Sequence, residues 1–424
     1  EHRDRMKIFL FERSREFAKF TLLPDIVGYY THTVAGPRIL LQEGKRGQST
    51  ETIMFHEYVH HLMRGSNQFN YPLWYDEGFA EVLAATTIKG QEATIGNVSK
   101  ARGYELKYGK KIKLSELLKT NSRVEGNKFF WAAFYAKAWF FVHYLQISPW
   151  AGNDQLKPQT ADYLYRVSQG EDPLLAFKES FLMTAEEMDE ILDNYQKRKR
   201  IVVFKLQLPD IDRVVRSQKL SRNESIFLLA NLARLSYKND LALEILKDLD
   251  EKDKKSASGM ALKAVLENEN KQGDGLGYRD LALAMSPEDP KVLHNVAKWD
   301  LNNYFESEEK IVNETENLMG IEEKVLRAIA LDPENIENYE LLWKIAAEQD
   351  EPVKVAKNMM LAYQLDHTSV KLNFEIGIFL ANQQKPELAV DFLERAYNWS
   401  HQSAQRESIK KILDEVQDRA VSQQ

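Results

Sequence analysis

The segment His56-Glu57-Tyr58-Val59-His60 sets two imidazoles four residues apart, with a carboxylate directly after the first. On a helix, positions i and i+4 share one face, so both rings can reach a single metal ion. The 424-residue chain has no cysteine, so any metal must be held by His and carboxylate. Zinc in such a site takes three protein ligands and keeps a fourth position open. The third ligand expected is Glu77, with 16 residues between it and His60, a span that a helical hairpin can fold back on itself. Glu81, one turn further on, is expected to brace the outer nitrogen of a ligating histidine. One Zn2+ per chain would then be held by His56, His60 and Glu77. Zinc acidifies its bound water, and Glu57 is placed to take the proton as that water attacks a carbonyl. The plainer reading is a chance spacing on a solvated helix, with Glu77 and Glu81 as ordinary surface carboxylates.

The elements that must position these residues follow from the pattern. Ser49 or Thr50 caps a helix that Gly65 ends, and a second helix starts near Pro72 and runs to about Thr87. Upstream, Lys7–Phe11, Tyr29–Thr33 and Arg38–Leu41 read as short strands, the last two joined through the turn residues Ala35-Gly36-Pro37. Ile39–Leu41 is expected to be an edge strand above the cleft, where an extended peptide adds by main-chain hydrogen bonds. Residues 90–128 read as polar and loop-rich, with a helical patch at Leu114–Leu118. Phe129–Leu145 is aromatic but carries Lys137 and His143 and is short for a bilayer span, so it is expected to be a core helix. His143 reads as a satisfied core histidine, and His61 as a residue beside the site rather than a ligand.

Beyond a boundary near 205–215 the pattern is helical and repeats. Ala328, Ala362 and Ala396 are each 34 residues apart, and Ala282 precedes Ala328 by 46, one period plus an insertion of 12 assigned to the acidic stretch 306–320. A 34-residue period with small residues at helix crossings and an Asp-Pro stop is the signature of tetratricopeptide repeats.

Composition sets outer limits. At 43% hydrophobic the chain can bury real cores, and a net charge of −7 argues against nucleic-acid binding. The chain begins at Glu1 with charged residues and reads as a trimmed or mature fragment.

HExxH followed by Trp74-x-x-Glu77-Gly78-x-Ala80 resembles the gluzincin peptidases, the clan of thermolysin and the membrane-alanyl aminopeptidases, and looks most like the bacterial peptidase MA-like group. Tyr135-Ala136-Lys137-Ala138 resembles the Tyr-Glu-Lys-Gly helix of those aminopeptidases, which implies that Tyr135 stabilises a tetrahedral oxyanion. The resemblance covers roughly residues 1–200. The expected architecture is an α+β zincin-like catalytic domain over 1–205, a small mixed sheet plus helices, followed by an all-α tetratricopeptide-like solenoid over 206–424. The implied activity is zinc-dependent peptide hydrolysis, with a peptide or protein substrate and a possible protein partner on the repeats. The Gly-x-Met-Glu-Asn motif of the aminopeptidases is missing, so an endopeptidase is expected over an aminopeptidase. The alternative from another class is a non-catalytic interaction scaffold whose zinc site is structural or vestigial. A bacterial, exported protein is the expected setting.

Overall fold

A computed structural model describes residues 6–21, 26–33, 35–44, 49–66, 71–120, 127–151, 154–198, 201–210, 217–249, 256–271, 273, 275–306, 314–400 and 403–422. The chain opens with β1 (Lys7–Phe11), α1 (Ser14–Ala18), β2 (Gly28–Thr33) and β3 (Gly36–Gln42), followed by α2 (Thr50–Ser66) and α3 (Leu73–Ala84). The sheet order is β1-β3-β2, with β1 parallel and β2 antiparallel to β3. Gly36 enters β3 at φ +94, a conformation that suits glycine.

The strands lie where the sequence predicts them, but Ile39–Leu41 is not an edge. It sits in the central strand, and all seven residues of β3 are buried. The physical reason is visible in the run Ile39-Leu40-Leu41, which does not alternate with polar residues because both faces of the sheet are covered. Tyr30, Ile39 and Leu41 pack against Ile53 of α2. The opposite face presents Leu40, Phe9, Phe11 and Tyr29, which join Phe17 of α1 and Phe20 just after it. That cluster continues into Ile226, Ala230 and Ala233 of the first repeat helix.

After α3 come the hairpin β4 (Thr87–Lys89) and β5 (Glu92–Ile95), then α4 (Lys100–Tyr108), α5 (Leu114–Lys119) and α6 (Lys128–Gln146). The hairpin and α4 fall largely in the stretch expected to be loop. Gly90, at φ +60, makes the two-residue turn that the sequence reading passed over. A further strand, β6 (Phe204–Gln207), pairs with β5. As expected, α6 is a core helix: Asn127 caps it, and Phe134, Trp139, Phe141 and Leu145 are buried. Among the described residues no helix is long and apolar enough to cross a membrane. The helices α7 (Leu156–Ser168), α8 (Pro173–Phe181) and α9 (Ala185–Gln196) close this core through Tyr163, Phe177 and Met188.

The remainder stacks as helical hairpins: α10 (Arg222–Leu235) with α11 (Asn239–Leu246), α12 (Ala257–Glu269) with α13 (Leu276–Met285), α14 (Pro290–Glu306) with α15 (Glu314–Leu331), α16 (Ile336–Glu348) with α17 (Pro352–Leu365), and α18 (Val370–Asn382) with α19 (Pro386–Trp399), followed by α20 (Ser403–Ser422). Ala282, Ala328, Ala362 and Ala396 are fully buried at the crossings, which is why the period demands a small residue there. The acidic insertion lengthens α14 and α15 to 17 and 18 residues, and its part at 307–313 lies outside the described residues.

The expected α+β zincin-like catalytic domain ahead of a separate solenoid is therefore corrected. Helices carry most of the described residues, and strands form only two three-stranded sheets. The sheet of β1, β3 and β2 is covered on both faces by helices. It serves as a layer between α2 and the repeats, in a predominantly helical repeat fold.

The sheet and repeats also share buried charge. Nη2 of Arg234 on α10 donates to both carboxylate oxygens of Glu337 on α16, at 2.8 and 2.9 Å. His294 Nε2 lies 3.9 Å from the same carboxylate, and its Nδ1 is 2.7 Å from Asn338 Oδ1. Arg38 of β3 is 2% exposed; burial pushes its pKa down to about 10, opposed by the charge of Glu337. Burial alone would push the Glu337 carboxyl up, but Arg234, His294 and Lys298 outweigh it and hold it well below the usual carboxylate range. Breaking a buried pair from one side leaves an uncompensated charge, so Glu337→Gln should lose about 3 kcal/mol in urea unfolding at pH 7. A carboxyl with a depressed folded pKa stabilises above its unfolded value, about 4.3, and loses that contribution as pH falls. The gap between wild type and variant should therefore close progressively below about pH 4.

Candidate metal centre

The site is built by the α2–α3 hairpin. Ser49 caps α2 by accepting the Thr52 N–H at 3.2 Å, and the helix carries His56 and His60 on successive turns. Their Nε2 atoms are 3.3 Å apart. Pro72 precedes α3, which returns Glu77 so that its Oε2 lies 3.3 Å from His56 Nε2 and 3.9 Å from His60 Nε2. Among the described residues, these three alone form a group of metal-ligating type whose donor atoms lie within 4.8 Å of one another. Ligands on a tetrahedron with bonds of about 2.0–2.2 Å sit about 3.3–3.6 Å from each other; the donor set and the two 3.3 Å pairs fit zinc, with the His60–Glu77 pair slightly wider at 3.9 Å.

The outer nitrogens support the same assignment. Asp76 Oδ1 lies 3.0 Å from His60 Nδ1, and Glu81 Oε1 lies 3.6 Å from His56 Nδ1. His60 thus meets a carboxylate at hydrogen-bond distance on its outer side, the arrangement that fixes a ligand's tautomer and raises its basicity, while the Glu81 carboxylate lies within ion-pair reach of His56. The structure places Glu81, the expected brace, near His56, and Asp76, which the sequence reading did not single out because its neighbour Glu77 drew the assignment, near His60. Arg102 was also missed, since it lies on a helix that the polar stretch 90–128 did not announce. Its Nε donates to Glu81 Oε2 at 2.9 Å. Burial would raise the Glu81 carboxyl, but Arg102 and then the two histidines outweigh it and keep it below its ordinary value.

Glu57 accepts the backbone N–H of Tyr30 at 2.8 Å, so one of its oxygens is engaged by β2. Tyr135 lies under Arg102, whose guanidinium carbon is 5.0 Å from the ring centre. His61 faces the sheet, with Nδ1 3.3 Å from the Tyr30 hydroxyl. His143 is the satisfied core histidine expected, with Nε2 near Gly96 O and Val202 O at 3.0 and 3.1 Å and Nδ1 3.1 Å from the Tyr195 hydroxyl. Burial lowers its pKa against those bonds.

No family model matches this chain, and no curated protein does. Solved structures do match. A thermophilic TPR protein of Thermus thermophilus, TTC0263, is 10% identical, with 46% of this chain and 98% of that chain covered, at a TM-score of 0.39. PilF of Pseudomonas aeruginosa is 18% identical, with 47% and 87% covered, at 0.35. MamA protein is 11% identical, with 43% and 93% covered, at 0.29. The expected resemblance to the gluzincin peptidases finds no counterpart in these comparisons and is corrected. The comparisons set a tetratricopeptide-repeat protein beside this chain, and the assignment as a zinc peptidase, endo- or aminopeptidase, is withdrawn. The repeat fold itself stands on the stacked hairpins described above.

The hairpin that holds Glu77 depends on close approach. A Cβ on Gly78 would meet the Ala138 carbonyl oxygen at 2.5 Å and Val142 Cγ2 at 2.7 Å, both on α6. Backbone cannot yield as a flexible side chain can, so Gly78→Ala should destabilise the protein by about 1–3 kcal/mol, seen as a lowered Tm.

Proposed function

We propose that this chain is a protein-interaction scaffold in which one zinc ion fastens the α2–α3 hairpin through His56, His60 and Glu77. The observation that carries the reading is the stack of helical hairpins from α10 to α19, with fully buried alanines at crossings 34 residues apart. Such arrays present long surfaces to protein or peptide partners and have few other uses. Zinc suits the structural side of the role, because ligands on two different helices convert metal affinity into folding free energy.

Two measurements check the reading. In zinc titration calorimetry the wild type should take up one ion. Asp76→Asn, which removes an outer partner of His60, should weaken binding about 10–100-fold. On an array of end-blocked peptides, the zinc-loaded chain should retain a subset of sequences and leave them uncut. Cleavage that disappears in Glu57→Gln would overturn the scaffold reading.

A further inference from the structure

The repeats reach the metal centre through one strand. Among the described residues β2 is an edge of its sheet, paired only with β3. At its middle, the Tyr30 N–H bonds Glu57, the residue next to His56. Two positions on, and on the same face of the strand, His32 Nε2 meets Asp366 Oδ2 at 2.8 Å in the turn between α17 and α18. Thr368 Oγ1 lies 3.2 Å from the same nitrogen and donates to Asp366 Oδ1 at 2.8 Å, while the Thr368 N–H reaches that oxygen at 3.1 Å. Asp366 and His32 are both buried, at 3% and 8% side-chain exposure. Burial would push the Asp366 carboxyl up, but His32 and Thr368 keep it below its ordinary value.

An edge strand has one free side, and its lateral position is set by whatever else grips it. Here two grips lie within three residues, one from the metal-site helix and one from the repeats. Tyr30 adds to the first: its ring lies under the Arg64 guanidinium at 4.3 Å, and its hydroxyl faces His61. The connection from Asp366 through His32, the strand and Tyr30 to Glu57 is a continuous set of short contacts. Just after α1, Lys238 Nζ donates to the carbonyls of Lys19 and Thr21, so a repeat residue also grips the chain near the sheet.

We propose that Asp366 and His32 are positioning residues for the metal centre: the repeat array holds β2 in the register that seats Glu57 and the α2 histidines. This rests on the zinc reading of the site. Because binding linkage is reciprocal, zinc at the centre must equally steady the α17–α18 turn. A partner that shifts that turn would change zinc affinity without touching a ligand.

The test uses the full chain and reads two quantities, the exchange rate of the Tyr30 amide without metal and the affinity for Zn2+. Asp366→Asn should speed Tyr30 exchange about tenfold and weaken zinc by a similar factor. Zinc should slow exchange in the α17–α18 turn of the wild type and lose that effect in the variant. Leu413→Ala, which loosens the far C-terminal cluster, should lower Tm and move neither quantity. If Asp366→Asn is too unstable to measure, His32→Ala against His32→Gln decides, because Gln keeps a donor for the carboxylate. Ala should behave as Asp366→Asn does, and Gln should behave as the wild type. Wild-type exchange and affinity in Asp366→Asn, or in His32→Ala, would overturn the proposal. A wild type that takes up no zinc would remove the metal reading alone. Tyr30 exchange would still decide the positioning role: faster in the variant supports it, unchanged refutes it.

Discussion

A three-stranded sheet with apolar side chains on both faces cannot leave either face in water, and the rest of this structure is arranged around that constraint. One face of β3 sends Ile39 and Leu41 to the helix that carries His56 and His60. The other sends Leu40 to the first repeat hairpin. At about 25 cal/mol per Å2 of apolar surface, burying both faces is worth more than any single polar contact in the molecule. The repeats are thus part of what makes the sheet stable, and the sheet is the floor on which the histidine helix lies.

The buried charges follow from the same layering. Arg38 points from the sheet into the repeats, where it would be costly without an anion nearby. Glu337 supplies that charge and is in turn held by Arg234, three hairpins away along the chain. In an open array, helices so far apart would not touch. Here a buried, two-pronged ion pair draws α10 and α16 together. Such a pair adds little net stability over an apolar substitute, but it penalises any other arrangement of the same helices.

Much of this was legible in the sequence where a short-range rule applies. Four-residue spacing put His56 and His60 on one face, the fold-back length brought Glu77 to them, and the 34-residue period located the crossings at Ala328, Ala362 and Ala396. Relations across the fold were not legible. The alternation rule cannot say which strand is central when both faces are covered, so Ile39–Leu41 was misplaced at an edge. Asp76 and Arg102 act through three-dimensional proximity that no local pattern encodes. The enzyme assignment failed for a related reason: ligand spacing specifies that a metal can be held, not what is done with it.

The central claim is that the sheet makes the metal-site helices and the repeats one cooperative unit. Equilibrium urea unfolding of the full chain, followed by hydrogen exchange in residues 50–66 and 336–348 together, tests it most directly. A shared sheet predicts that both segments lose protection at one urea midpoint. Loss of protection in 50–66 at lower urea, with 336–348 still protected, would show two independent units joined by contact and would contradict the account.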